Sequence, residues 1–281
     1  MDGRITLADG RTVGYADYGT PGQTPVLWCH GGPGSRLEPS GIAPAAGAAG
    51  FRIIGIDRPG YGLSTPQPGR AIADWVNDGL TVASHLGVRE FLCVGVSTGG
   101  AYALALAAAT PRARGVIACC ALSDMRSPEL RSRMLENPGM GIWRAESRDA
   151  AIAFATDLMG ADGSKLFAPG GAASNLPPSD LALMADPAFM AGMASAFPAM
   201  FAFGVQGYAD DRLADGPGWG SFDVKEIRCP VTVLHGASDS ICPVEHARHT
   251  ASVVPGARLE IRPELGHFSI ISEVLGELAR L

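Results

Sequence analysis

The sequence has no surplus of positive charge. Its 281 residues include 22 Lys and Arg against 28 Asp and Glu, which gives a formal net charge of -6 and a pI near 5.5. A protein that binds nucleic acid needs a basic face that replaces the counterions of the phosphates. The composition therefore argues against a nucleic-acid partner.

Long apolar runs are also missing. No run approaches the roughly 20 apolar residues that a membrane-spanning helix needs. The first residues, Met1, Asp2, Gly3 and Arg4, lack the basic and apolar regions of a signal peptide. We therefore expect no membrane partner and a cytoplasmic protein.

The sequence lacks the usual spacings of metal and redox sites. It has six cysteines but no Cys-x-x-Cys pair, and five of the six lie in or beside apolar runs, so we expect buried thiols. His246 and His249 are three residues apart on a predicted helix but have no evident third ligand. We interpret them as residues on a helix surface and expect no metal site.

Apolar runs are present at intervals along most of the chain. They predict eight strands, at residues 5–7, 12–18, 26–29, 51–56, 91–94, 116–121, 231–234 and 259–261. The first two are joined by a predicted hairpin turn at residues 8–11. The later runs are continuous and apolar, which is typical of strands buried on both faces.

Predicted helices separate the later strands, at residues 71–86, 97–109, 243–254 and 268–281. This alternation favours an α/β fold with an eight-stranded, mostly parallel sheet flanked by helices. About a hundred residues separate the sixth and seventh strands, which is too long for one crossover. We predict a core of residues 1–124 and 229–281, interrupted by an inserted helical cap at 125–228, called the cap segment below.

Methionine and phenylalanine are concentrated in the cap segment. Eight of the nine Met and six of the ten Phe fall between residues 125 and 205. Such side chains pack a helical core, but flexible Met also suits an adaptable apolar pocket. We select Met184, Met193, Phe197 and Phe201 as candidate substrate-binding residues. A stretch rich in Gly, Ala and Pro at 168–178 predicts a loop and possible hinge.

A Gly-x-Ser-x-Gly pattern lies between a predicted strand and a predicted helix. The apolar run 91–94 leads into Gly95, Ser97 and Gly99, and an alanine-rich stretch follows. A tight turn there would hold the Ser97 hydroxyl clear of the sheet, with glycines removing side chains that would crowd the bend. Ser97 is therefore the candidate nucleophile.

Four motifs together resemble the α/β-hydrolase fold across essentially the full chain. They are His-Gly-Gly-Pro-Gly-Ser at 30–35, Asp-Arg-Pro-Gly-Tyr-Gly-Leu-Ser at 57–64, the Ser97 elbow, and Gly-His at 266–267. Each follows a predicted strand. In this family the catalytic triad runs in the order Ser, acid, His. The resemblance implies Ser97 as nucleophile, Asp239 as the acid and His267 as the base, with Asp124 as the alternative acid.

The resemblance also implies an oxyanion hole, a pair of donors for the negative oxygen of the tetrahedral intermediate. These would be the backbone amides of Gly32 and Thr98, with Gly31 beside them as a candidate substrate contact. Pro33 has no amide hydrogen to offer. His30 is interpreted as structural, and Arg58 as the partner of a carboxylate.

The expected activity is that of a serine carboxylesterase without a cofactor, acting on small-molecule esters. A serine at the elbow argues against epoxide hydrolases and haloalkane dehalogenases, which need a carboxylate there. Residues 30–35 resemble proline iminopeptidases, but those enzymes typically have Gly-Gly-Ser-Trp-Gly where this chain has Gly-Val-Ser-Thr-Gly. Iminopeptidases, carbon–carbon bond hydrolases, lactonases and a ligand receptor on a hydrolase scaffold remain alternatives. The oligomeric state is not readable from the sequence.

Overall fold

The structure is a computed structural model that describes residues 1–166 and 175–281. Nine strands lie within these residues. They are β1 (Asp2–Thr6), β2 (Thr12–Asp17), β3 (Thr24–Cys29), β4 (Phe51–Ile56), β5 (Phe91–Val96), β6 (Ala113–Cys119), β7 (Ala202–Val205), β8 (Val231–Gly236) and β9 (Arg258–Arg262). All except β7 form one sheet in the order β1-β2-β4-β3-β5-β6-β8-β9.

The sheet is mostly parallel, as predicted. Only the β1–β2 and β2–β4 pairs are antiparallel. The predicted hairpin turn joins β1 and β2, with Gly10 at a φ of 86°, a conformation that suits glycine. The first strand runs from Asp2 to Thr6 rather than over 5–7, because this edge strand alternates between exposed and half-buried residues and has no apolar run that marks its start.

The central strands are buried on both faces, which explains their continuous apolar runs. Every residue of β5 and β8 is buried. Successive side chains of a strand point to opposite faces. In β3, Leu27 and Cys29 accordingly join one apolar cluster, while Val26 and Trp28 join the cluster on the other face.

Ten α-helices lie in the described part of the chain. They are α1 (Ala43–Ala48), α2 (Trp75–His85), α3 (Gly99–Ala109), α4 (Pro128–Leu135), α5 (Arg148–Met159), α6 (Pro178–Met184), α7 (Pro187–Met200), α8 (Gln206–Asp215), α9 (Glu245–Val253) and α10 (Val274–Leu278). Helices α2, α3 and α9 cover one face of the sheet, and α1 and α10 cover the other. The predicted helix at 268–281 is a 3-10 turn, Ser269–Glu273, followed by the short α10.

The cap segment contains α4 to α8 and has its own apolar cluster. Met134, Trp143, Met159 and Met200 pack there with Leu122 and Cys242 from the ends of the sheet. The predicted cap segment ends at residue 228. Its last apolar residues pack instead with the cluster on the face of the sheet that α2, α3 and α9 cover; they are Ala214, Trp219, Val224 and Ile227. Of the predicted loop at 168–178, residues 168–174 lie outside the described residues, and Pro178 begins α6.

The helices differ in length and composition from a membrane span. In residues 1–166 and 175–281, no single helix is long and apolar enough to cross a membrane. Helices α6 and α7 reach that length and composition only when they are taken together, and they are bent by 75° relative to each other.

Candidate active site

Ser97 lies on a sharp turn between β5 and α3. Its φ is 53°, a left-handed conformation that is rare for a residue with a side chain. The turn leaves no space for side chains at the neighbouring glycines. A Cβ on Gly95 would lie 2.3 Å from the carbonyl oxygen of Gly99, and one on Gly99 would lie 1.9 Å from that of Cys29. The glycine pattern is therefore a steric requirement of the elbow.

His267 and Asp239 form a buried pair at the same edge of the sheet. Nδ1 of His267 lies 2.7 Å from Oδ2 of Asp239. The other oxygen, Oδ1, accepts hydrogen bonds from the amides of Ile241 and Cys242, both at 2.8 Å. These bonds fix the carboxylate in the orientation that faces the imidazole.

The alternative acid, Asp124, lies elsewhere. Its carboxylate pairs with the guanidinium of Arg126 at 2.6 Å and accepts the amide of Trp219 at 3.1 Å. The carboxylate beside His267 is that of Asp239.

The two charges of this pair stabilise each other. Burial lowers the pKa of His267, but the charge of Asp239 outweighs this effect and raises that pKa above its usual value. Burial likewise raises the pKa of Asp239, and the His267 charge outweighs it, so that the Asp239 pKa lies below its usual value. The arrangement stabilises an imidazolium, as a general base requires after it has taken a proton.

The glycine loop after β3 is held by a half-buried glutamate that sequence reasoning missed. Glu38 accepts the amide of Gly31 on Oε2 and the indole N–H of Trp28 on Oε1, both at 2.8 Å. The amides of Gly32 and Thr98 donate no hydrogen bond within the described residues. Because the Gly31 amide is already occupied, Gly32 is the better placed donor of this loop.

Arg58 also holds the same loop in place, through contacts with its backbone. Its guanidinium donates to the carbonyl oxygens of His30 and Gly31, and its backbone amide donates to Nε2 of His30 at 3.1 Å. The guanidinium also pairs with Asp211 of α8 at 2.7 Å. The predicted structural role of His30 and the predicted carboxylate partner of Arg58 both correspond to these contacts.

Arg212 of α8 brings a second buried charge to the site. It donates to the hydroxyl of Thr98 and pairs with Asp215 at 2.9 Å. Its guanidinium lies over the rings of Trp143 and Tyr208, about 5 Å from each centroid. The run of charges at 210–212 within an otherwise apolar region was the sequence signal that could have identified it.

A cavity of about 740 Å³ lies between the edge of the sheet and the cap segment. Ser97, His267, Gly31 and Gly32 line it, together with Met193. Its wall is largely apolar, including Trp28, Leu122, Met134, Trp143, Phe189 and Met200. Thr98 lies behind this wall, and its side chain is buried against Arg212.

The other three candidate substrate contacts in the cap segment do not line the cavity. Phe197 and Phe201 pack on each other, with ring centroids 4.9 Å apart, inside the cluster of the cap segment. Phe201 also covers Gly163, where a Cβ would lie 2.3 Å from the ring. Met184 ends α6 away from the cavity wall. The expectation for Met184, Phe197 and Phe201 is therefore corrected, because apolar composition alone does not separate packing from lining.

His246 and His249 both contact one serine. The Nδ1 atom of His246 accepts the amide of Ser123 at 3.0 Å, and Nδ1 of His249 lies 2.8 Å from the Ser123 hydroxyl. His246 is fully buried, so the interpretation of a helix surface is wrong for this residue. In residues 1–166 and 175–281, no group of three His, Cys, Asp or Glu could hold a metal ion.

A parallel α/β sheet with a serine elbow, and with a histidine–aspartate pair at the carboxyl ends of its strands, defines a class of hydrolase scaffolds. Residues 24–274 match the model of the alpha/beta hydrolase fold family. The chain belongs to this family.

Relatives with different activities align along the whole chain. It is 26% identical over 268 residues to a non-heme haloperoxidase of Rhodococcus erythropolis, covering 94% of this chain and 92% of the relative. It is 27% identical over 303 residues to a proline iminopeptidase of Xanthomonas citri, covering 100% of this chain and 95% of the relative. The structure of a thermophilic esterase from Thermogutta terrifontis superposes with a TM-score of 0.67 at 22% identity, over 100% of this chain and 97% of that one. That likeness establishes the fold.

Proposed function

We propose that the chain is a serine hydrolase that cleaves carboxylic esters of small to medium apolar substrates through an acyl-serine intermediate. One observation carries the proposal. The 2.7 Å contact between Nδ1 of His267 and Oδ2 of Asp239 orients a histidine that lines the same cavity as Ser97, a residue in a strained backbone conformation.

In the first half-reaction, Oγ of Ser97 attacks the ester carbonyl carbon while Nε2 of His267 accepts the hydroxyl proton. The carbonyl oxygen becomes negative and receives hydrogen bonds from the amides of Gly32 and Thr98. His267 then gives its proton to the departing alkoxide, and the alcohol leaves an acyl-serine. In the second half-reaction, water replaces the serine, with His267 again as base and then as acid.

Nε2 of His267 and Oγ of Ser97 are not hydrogen-bonded to each other in the described residues. Such contacts are often long before substrate binds and tighten in the complex. The mechanism therefore requires that these two atoms come within hydrogen-bonding distance in the substrate complex.

The cavity wall supports an apolar ester over a charged peptide terminus. Most of the lining side chains are apolar, and the carboxylate of Glu38 is engaged by Trp28 and Gly31. An apolar pocket with few polar groups favours uncharged acyl and alcohol parts.

A proline iminopeptidase activity is the second candidate. The observation that favours it is the alignment of the iminopeptidase of Xanthomonas citri over the full length of this chain. The two activities share the triad chemistry and differ in the leaving group. Turnover of an ester compared with turnover of a proline amide therefore distinguishes them.

The test compares the wild type with Ser97→Ala on p-nitrophenyl esters of increasing acyl length and on proline p-nitroanilide at neutral pH. We expect ester turnover in the wild type and a loss of about 10³-fold or more in the variant, because no other group supplies the nucleophile. The matched control is Ser252→Ala, an exposed serine of α9 whose hydroxyl bonds only to a backbone carbonyl.

Three outcomes contradict parts of the proposal. Full turnover in Ser97→Ala would exclude Ser97 as nucleophile. Cleavage of the proline amide with poor ester turnover would assign an iminopeptidase. If a fluorophosphonate does not label Ser97 and no substrate is turned over, a ligand receptor on the same scaffold is favoured.

A further inference from the structure

A buried aspartate of the cap segment contacts the backbone of the candidate base. Asp180, in the first turn of α6, has no solvent exposure. Its Oδ2 accepts the amide of His267 at 2.9 Å, and its Oδ1 accepts the amides of Phe268 at 3.2 Å and Ser269 at 2.8 Å. The hydroxyl of Ser269 also donates to Oδ1, at 2.6 Å. One carboxylate thus receives four hydrogen bonds from three consecutive residues.

Two of these donors, the amides of Phe268 and Ser269, are amides that a helix leaves unpaired at its start. The 3-10 turn Ser269–Glu273 begins just after His267, and the first amides of a helical turn have no acceptor within it. A side chain usually caps such amides from the residue that precedes the helix. Here the cap comes from 87 residues earlier in the chain. The turn that carries His267 is therefore completed only when α6 is in place.

The contact extends one residue further, to Gly266. Its amide donates to the hydroxyl of Ser269 at 2.8 Å, and this hydroxyl donates in turn to Asp180. A Cβ on Gly266 would lie 2.5 Å from Oδ2 of Asp180 and 2.4 Å from Cγ of Pro177. The glycine before the histidine is thus required by the close approach of α6.

We propose that Asp180 is a positioning residue for His267, which fixes the backbone of the base so that its imidazole meets both Asp239 and Ser97. The inference rests on the proposed function of the same site. It makes catalysis depend on the placement of α6, so that the cap segment contributes to the reaction as well as to the cavity wall.

Removal of the Asp180 charge should also change the pKa of His267. The groups that act on this site from the surrounding elements are Asp239 after β8, His235 on β8, Cys120 after β6, Glu38 after β3 and Asp180 on α6. Burial lowers the pKa of His267, and the charges of Asp239 and Asp180 are among those that raise it. Without Asp180, the pKa of His267 falls, and the acid limb of kcat/KM moves to lower pH.

The test is Asp180→Asn, which keeps the shape of the side chain. If the amide oxygen of Asn stays at the Oδ1 position, its NH2 group faces the amide of His267, and that hydrogen bond is lost. We expect kcat to fall 10- to 100-fold with little change in KM, because a displacement of about 1 Å at a reacting group costs rates of this order. Labelling of Ser97 by a fluorophosphonate should slow by a similar factor, and the acid limb should move to lower pH.

Asp149→Asn is the matched control, since Asp149 is an exposed aspartate in the first turn of α5. Ser269→Ala is the second variant, and it decides the question if Asp180→Asn does not fold. It removes one donor to Asp180 and leaves three amides in place, so we expect a smaller loss of kcat. In the double variant the two losses should not add, because both act on one turn.

The outcomes separate this inference from the proposed function. If the wild type neither turns over esters nor reacts with the fluorophosphonate, the proposed function is wrong. If the wild type is active and both variants stay within twofold of its kcat, Asp180 has no positioning role. A lower melting temperature with unchanged kcat and pH profile would reduce Asp180 to a structural contact.

Discussion

Ser97 illustrates how a single residue is held in a conformation that it would not adopt alone. A left-handed backbone costs a residue with a side chain roughly 1–2 kcal/mol. The amide of Ser97 donates to the carbonyl of Cys119 at 2.9 Å, and its own carbonyl accepts the amide of Gly100 at 3.0 Å. These bonds, and the packing of the flanking glycines, offset the strain and present the hydroxyl at the cavity.

The pairing of His267 with Asp239 gives a prediction about pH. A general base works when neutral, and Asp239 raises the pKa of His267, so the acid limb of kcat/KM should lie above the usual histidine value near 6.5. In Asp239→Asn the pKa of His267 falls and the limb moves to lower pH. The maximal rate should drop by about 10⁴-fold, because the imidazolium loses its partner. Rates measured from pH 5 to 10 test both effects.

Asp124→Asn is the control for this series. The carboxylate of Asp124 contacts Arg126 and Trp219 rather than His267, so its removal should leave the acid limb in place. Loss of activity in Asp124→Asn with a near-normal Asp239→Asn would reverse the assignment of the acid.

At the scale of elements, the elbow depends on how closely α3 approaches β3. The start of α3 lies against the end of β3, and Gly99 is the residue at the contact. Glycine there allows the backbones to meet without a side chain between them. The same contact places the Thr98 amide next to the glycine loop that follows β3.

Gly99→Ala should therefore destabilise the protein. The added methyl would lie 1.9 Å from the carbonyl oxygen of Cys29, so backbone must move, at a cost of about 1–3 kcal/mol or more. Urea unfolding measures the change. The control, Gly276→Ala in α10, meets nothing within 4 Å and should stabilise by about 0.5–1 kcal/mol. Equal stability of the two variants would show that the elbow tolerates a side chain.

At the scale of the whole molecule, a buried ionic cluster joins distant parts of the chain. Asp211 of α8 pairs with Arg58 at 2.7 Å and with Arg70 at 2.6 Å, and accepts the hydroxyl of Tyr61 at 2.7 Å. These groups have little or no solvent exposure. Removal of one partner from such a cluster leaves an uncompensated charge, which is far more costly than the cluster is worth as a whole.

Asp211→Asn should lower the free energy of unfolding by about 3–5 kcal/mol at pH 7. Burial raises the pKa of Asp211, but Arg58 and Arg70 outweigh it and hold that pKa well below its usual range. The stability from this carboxylate is present above the unfolded value near 4 and is lost as pH falls. The difference between wild type and variant should therefore narrow in acid.

Thermal unfolding of the wild type and of Asp211→Asn at pH 7, 5 and 3 measures this difference in stability. The control is Asp157→Asn, on the exposed face of α5. A variant as stable as the wild type at pH 7 would show that Asp211 is dispensable.

Local patterns predicted much of this molecule. Burial on both faces requires continuous apolar residues in a strand, and the tight elbow requires glycines beside Ser97. Both features can therefore be recognised in the sequence. The predicted helix at 97–109 begins two residues late, at Gly99, since the left-handed Ser97 cannot be helical. The order of the family motifs predicts Asp239 and His267, and in the structure Oδ2 of Asp239 lies 2.7 Å from Nδ1 of His267.

The sequence by itself determined the fold class and the residue types that meet at the edge of the sheet, because those depend on hydrophobic periodicity and on glycines at fixed short spacings. Only the tertiary structure decided that Met193 lines the cavity while Phe197 packs behind it, and that Asp180 caps the turn after His267. The first distinction separates two residues one turn apart on α7, and the second joins segments that are far apart in the chain. No local pattern specifies such a contact, because it is set by how the elements pack.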